Sequence, residues 1–100
     1  MIRHIVMWKF KESAEGATRA ENLASFKTML EGCRDLAPGT LHLEAGIAEP
    51  GLASTFDLVL VSDFTDKAAL DAYQDHPDHQ VVKDFAKRVV EARQCVDYVV

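Results

Sequence analysis

The first strand limits what this chain can fold into more than any other segment does. Residues 2–11, Ile-Arg-His-Ile-Val-Met-Trp-Lys-Phe-Lys, alternate as an extended strand does. One side carries Ile2, His4, Val6, Trp8 and Phe10, and the other carries Arg3, Ile5, Met7, Lys9 and Lys11. Both sides are apolar at their middle, so neither is suited to full exposure to water. A helical layer covers only one face of a sheet. The other face needs a second cover.

The remaining segments supply the helical layer. After a polar connector at Ser13–Gly16, Thr18-Arg19-Ala20-Glu21 has capping-box spacing. Leu23, Phe26, Leu30, Cys33 and Ala37 then recur at helical intervals, predicting a helix of about five turns ended by Ala37-Pro38-Gly39. Residues 40–48 alternate, with Leu41, Leu43, Ala45 and Ile47 against His42, Glu44, Gly46 and Ala48. A turn-rich loop at 49–54 leads to a strand over 55–64. Phe56, Leu58, Leu60 and Phe64 face one way there, and Asp57, Val59, Val61 and Asp63 the other. Thr65 or Asp66 caps a short helix, and Val81, Val82, Phe85 and Val89 mark a second one. Arg93–Val100 is the last strand. Its tail, Cys95-Val96-Asp97-Tyr98-Val99-Val100, has one charge and would be an aggregation hazard as a bare edge.

The order β-α-β-β-α-β over residues 1–100, with the second helix broken, predicts a single ferredoxin-like α+β domain. The uncovered face and the hazardous last strand make the same demand, so a symmetric homodimer packed sheet to sheet into a barrel is expected. Trp8, Phe10, Phe56, Leu58 and Leu60 are then expected inside that barrel, lining a cavity or packing as interface core.

Composition narrows the partners. The net charge is -5, with 11 Lys and Arg against 16 Asp and Glu, which disfavours nucleic acid and anionic membranes. No apolar run approaches the ~20 residues of a membrane span, and the alternating N-terminus is unlike a signal peptide, so a cytoplasmic protein is expected. Cys33 and Cys95 have no CxxC spacing and read as free thiols.

The chemistry concentrates in Leu70-Asp71-Ala72-Tyr73-Gln74-Asp75-His76-Pro77-Asp78-His79. Proline disfavours helix at the residue before it and suits the first position of a new one. One helix should therefore end near Gln74 and a second begin at Pro77, with His76 at the cap and His79 third in the helix. Partial positive charge at that end disfavours protonating His79. A neutral histidine there serves as a base toward a carbon acid, with Tyr73 donating to the developing enolate. The alternative is structural: His76 caps, His79 bonds a backbone carbonyl, and Tyr73 packs. His4, flanked by Val6 and Trp8, either orients a ligand or is a satisfied core histidine. Asp97 either orients a histidine, pairs with Arg3 or is an exposed strand carboxylate. His42 reads as surface. The histidines show no HxH or HxxxH spacing and no third metal ligand, and no flavin, nucleotide or haem pattern occurs, so neither metal nor cofactor is expected.

With those residues placed, the chain resembles the stress-responsive dimeric α/β barrel (Dabb) family. The resemblance is carried by Ile2–Lys11, Pro38-Gly39, Phe56-Asp57-Leu58, Phe64-Thr65-Asp66, Ala72–His79 and Val96-Asp97-Tyr98. It spans essentially the whole chain, and Tyr-x-x-His-Pro-x-His is its most specific piece. The resemblance implies the dimeric barrel. It also implies a link to stress responses and, for most members, no assigned activity. One plant member type is a polyketide cyclase that works without metal or cofactor. By position, its reacting tyrosine and histidine are Tyr73 and His79, and its first-strand histidine is His4. Trp8 departs from that pattern by placing a large ring where a cyclase pocket has room. Two functions are thus expected: a dimeric protein of undefined activity that binds a small apolar or carbonyl-containing molecule, or a cofactor-free enzyme acting by proton abstraction.

Overall fold

In the computed structural model, which describes residues 1–100, Pro77 divides the second helical segment as its chemistry requires. The elements are β1 (Ile2–Phe10), β2 (Ser13–Ala14), β3 (Ala17–Thr18), α1 (Arg19–Glu31), β4 (Thr40–Ile47), β5 (Leu58–Phe64), α2 (Lys67–Asp75), α3 (Pro77–Val89) and β6 (Val90–Val99). The main sheet has the order β4-β5-β1-β6 and is antiparallel throughout, the ferredoxin-like arrangement expected from the sequence.

Local chemistry accounts for the helix ends. Thr18 Oγ1 accepts from Glu21 N at 3.2 Å while Glu21 Oε1 accepts from Thr18 N at 3.0 Å, closing the capping box. The connector before it is a two-residue hairpin whose Glu15 and Gly16 both have positive φ, a turn that matches strand twist. Asp66, not Thr65, caps α2 by accepting from Ala69 N. α1 is shorter than expected. It stops at Glu31 with Gly32 as cap, so Cys33 and Ala37 belong to the turns that follow and pack into the core from there.

One face of the sheet carries the helices. Val6, Trp8 and Phe10 of β1, Leu58, Leu60 and Phe64 of β5, and Leu43 of β4 pack beneath Leu23, Phe26, Leu30, Tyr73, Val82 and Val89. Truncating one of the fully buried rings, Phe10, Phe26 or Phe64, to alanine should cost about 3–5 kcal/mol. The expectation that Trp8, Phe10, Leu58 and Leu60 line a space between two sheets is overturned. They lie under their own subunit's helices, because pairing of Val6 with Leu60 and Trp8 with Leu58 puts both larger apolar sets on that side. Phe56 is half-buried in the loop before β5, beside a depression of about 400 Å³ that Met7, Gly46 and Val59 also line.

Two further expectations shift. A bulge lies between Thr40, opposite Phe64, and His42, opposite Asp63, so Leu41 leaves the inward row and is exposed. On α3 the inward stripe is His79, Val82 and Val89 with Phe85 partly covered, and Val81 points to solvent.

The opposite face has no helix. Ile5 and Met7 of β1, Val59 and Val61 of β5, and Val96 of β6 form an apolar band across it. Met7 is 39% and Val96 55% exposed, so the band is substantial bare surface. Arg3 crosses its end, donating through Nε to Asp63 Oδ1 at 2.8 Å and through Nη2 to Oδ2 at 3.1 Å. That fork holds the Asp63 carboxyl below its ordinary range, and it settles Arg3's partner as Asp63 and not Asp97. No helix of the chain is long and apolar enough to cross a membrane.

Candidate functional site

The helix break brings two rings together. His76 caps the end of one helix and the start of the next, its Nδ1 accepting from Asp78 N at 3.1 Å. That fixes His79 at the third position of α3, facing the sheet. Its ring lies 4.4 Å from the Tyr73 ring, centroid to centroid, at a tilt of 39°. Neither is tied to backbone: the Tyr73 hydroxyl and His79 Nδ1 are both buried with no protein hydrogen-bond partner. Burial, with the positive charges of Lys83, His4, Arg93 and His76 adding to it, pushes the His79 pKa down to about 4. Burial likewise raises the Tyr73 phenol, with Cys33 contributing. At neutral pH both groups are uncharged.

A pocket of about 490 Å³ opens between the β1–β6 edge of the sheet and α3. His4, Val6, Trp8, Leu60 and His79 are its buried walls, and Lys87 and Arg93 are its exposed rim. Its size suits a small organic ligand. Trp8 is packed edge-on against Phe26 at 4.9 Å, so its large ring shapes the pocket instead of filling it. Tyr73 is wholly buried behind His79 and does not reach the pocket wall. His76 caps and does not line it.

His4 has a partner that sequence spacing did not decide. Register places Asp97 of β6 directly opposite His4, and the Asp97 carboxylate bonds His4 Nδ1. The proton on Nδ1 leaves a lone pair on Nε2, which has no protein partner. His4 is almost fully buried while the Asp97 side chain is 42% exposed, so the carboxylate keeps part of its hydration. Cys95 completes the cluster, its Sγ 3.8 Å from His4 Nδ1 and 3.9 Å from Asp97. These three ligand types lie within 4.8 Å of one another. Metal binding needs a thiolate and a bare imidazole nitrogen. Here burial and Asp97 raise the Cys95 thiol, and Asp97 already occupies Nδ1, so the arrangement fits a hydrogen-bonded cluster better than a metal centre.

Sequence reasoning missed Lys83, Lys87 and Arg93. A signal was present, since His79, Val82, Lys83, Ala86 and Lys87 follow helical spacing and Arg93, Cys95 and Asp97 alternate along one side of β6. His42 is on the surface, as expected, 3.3 Å from Glu44.

The ferredoxin-like fold that carries this pocket is matched by comparison with known proteins. The sequence profile of the stress responsive A/B barrel domain covers residues 2–100, and the chain belongs to that family, Dabb. No curated protein matches the sequence. Among solved structures, the chain is similar to a dimeric protein of unknown function and ferredoxin-like fold from Bacteroides fragilis. Identity is 26%, coverage 99% of this chain and 95% of that one, and the TM-score 0.81. A Dabb family protein with a ferredoxin-like fold from Mesorhizobium loti is also 26% identical, with coverage of 99% and 95% and a TM-score of 0.76. A dimeric ferredoxin-like protein of unknown function from Thermobifida fusca, 23% identical over 99% and 90% of the two chains, shares the fold at a TM-score of 0.84.

Proposed function

We propose that this protein is a cofactor-free enzyme that moves a proton at a carbon next to a carbonyl group. The observation that carries the proposal is a ligand-sized pocket with two neutral-capable histidines in its wall, each with a ring nitrogen free of protein partners. A base works best with a pKa near the working pH. His79, at about 4, is too weak for that role and is better suited to hydrogen-bond the carbonyl oxygen as a neutral ring. His4 is placed as the base, because the Asp97 carboxylate at Nδ1 fixes its tautomer and leaves the Nε2 lone pair free. In the step proposed, the His4 Nε2 lone pair takes the proton. The C–H electrons form the enolate, and His79 N–H bonds the enolate oxygen. The proton then returns to carbon or oxygen of the same molecule. Tyr73 packs behind His79 as a positioning residue.

The test is deuterium uptake at the α-carbon of small ketones and β-keto acids, followed by NMR. Catalysed exchange that falls by about 10²-fold or more in His4→Ala and in His79→Ala supports the proposal. Ligand binding with no exchange would leave a second reading, a binding protein of the stress-responsive type, which the mainly apolar wall favours.

The same reading includes a homodimer joined through the bare sheet face. The apolar band of Ile5, Met7, Val59, Val61 and Val96 supports it, as does the dimeric state named for the Bacteroides fragilis relative. Two free thiols, Cys33 and Cys95, suit the reducing cytoplasm.

A further inference from the structure

The chain as a whole is acidic, with a net charge of -5, yet its pocket is not. Lys83, Lys87 and Arg93 line it together with His4 and His79, and no aspartate or glutamate does. Acidic proteins need a reason to gather cations around one cavity. Two of these cations are unpaired. Lys83 donates to the Gln74 carbonyl at 3.0 Å and has no carboxylate within 4.0 Å, and Arg93 has none either. Lys87 is held only loosely, 3.9 Å from Asp84.

Their placement is directional. Lys83 and Lys87 stand one and two turns beyond His79 on the same side of α3. Arg93 stands across the opening on β6, opposite Trp8 of β1. Val6, Trp8, Leu60 and Val82 form the apolar interior, and the cations lie toward solvent. Lys83, Arg93 and His79 all line the same cavity. An apolar chamber with a positive mouth matches a molecule with an apolar body and one anionic end. The guanidinium of Arg93 presents a planar fork that suits a carboxylate.

We infer that the substrate is an amphipathic carboxylate, its alkyl or aromatic body against Trp8 and its carboxylate between Lys83, Lys87 and Arg93. This rests on the proposal that the pocket takes a small carbonyl compound, and it narrows that class to acids such as keto acids with a long or aromatic side chain. Neutral ketones of the same bulk bind less well because the mouth gains nothing from them.

Trp8 is the chain's one tryptophan and sits in the pocket wall, so its fluorescence reports occupancy. The probes are two matched pairs, decanoate with decanol and 2-naphthoate with 2-naphthalenemethanol, the naphthyl pair also followed by calorimetry. Each acid should bind about tenfold more tightly than its alcohol, equivalent to about 1.4 kcal/mol. The preference should vanish in the Lys83→Gln/Arg93→Gln double variant and weaken as salt rises. Both sites are at least partly exposed, so folding is retained, and circular dichroism checks it. Equal binding of acid and alcohol, or a preference unchanged in the double variant, overturns the carboxylate assignment while leaving the pocket. If no probe of either pair binds, the pocket reading fails and takes this inference with it.

Discussion

His4 and Asp97 face each other across neighbouring strands, joined through Nδ1, although they are 93 positions apart in the chain. The pairing of β1 with β6 is what makes a histidine of the first strand into a directed base. Asp97→Asn keeps the shape and removes the charge. Exchange activity should fall by about 10²-fold while probe affinity stays within about twofold. Because the carboxylate is 42% exposed, stability should change by less than about 1 kcal/mol. Parallel exchange, binding and urea-unfolding measurements check all three, and a stability loss that tracks the activity loss would mean a structural bond only.

The depressed His79 pKa has a consequence for stability with pH. The folded state resists the proton until about pH 4, whereas the unfolded chain takes it up near 6.5. Stability from the neutral ring is therefore full above about pH 6.5 and declines as pH falls toward 4. The loss is at most about 3.5 kcal/mol, since each pKa unit corresponds to about 1.4 kcal/mol. Lys83, His4, Arg93 and His76 all press the same way on this ring, and Tyr73 adds no charge. Urea unfolding of the protein and of His79→Phe between pH 4 and 7 should differ in slope only over this window, with the variant flatter. Equal slopes would place the His79 pKa near its ordinary value.

Tyr73 offers a test of the unpartnered hydroxyl. Burying a hydroxyl without a partner costs about 1–3 kcal/mol. Tyr73→Phe should thus be as stable as the parent or more so, by up to about 1 kcal/mol, with probe affinity unchanged. A destabilised variant would show that the hydroxyl is bonded in solution.

Gly39 should resist substitution strongly. Its φ is +88°, and a Cβ there would lie 2.6 Å from Thr65 Oγ1 and 2.8 Å from Ala69 Cβ. Gly39→Ala should cost about 2 kcal/mol or more, adding a clash to the strain. Gly51, at φ +89° with open space around it, serves as the strain-only control, at about 1 kcal/mol. Thermal melts separate the two, and equal costs would show that the Thr65–Ala69 turn yields freely.

The bare sheet face predicts its own variant. Val61→Lys places a charge in the apolar band between Ile5 and Glu44 without touching the helix side. It should turn a dimer into a monomer in sedimentation equilibrium with little change in helical content. A parent protein that is monomeric at micromolar concentration would rule out the sheet-to-sheet pair.

Much of this fold was legible because local chemistry decided it. Pro77 dictated the break, Thr18 and Glu21 the start of α1, and alternation the sheet. Gly32 carried the stop of α1, but the apolar run to Ala37 concealed it. The bulge at Leu41 depends on how β4 meets β5, and periodicity alone does not contain it. The face of β1 that the helices take was ambiguous, since His4, Val6 and Trp8 look no more internal than Ile5 and Met7. For the candidate site, the closeness of Tyr73 and His79 was readable from their spacing, but not that Tyr73 stops short of the pocket wall. The His4–Asp97 link needed strand register, and the cationic rim needed α3 and β6 side by side.

The chamber described above lies on the helix-covered side of the sheet, walled by His4, Val6, Trp8 and Leu60 of the sheet and by α3. Were two copies to join through their opposite faces, each would keep a full and separate receptacle on the outside of the assembly. Saturation curves would then be hyperbolic with a stoichiometry of one per chain. A dimer-breaking substitution would leave affinity untouched, so the reason for pairing would lie in durability and not in catalysis.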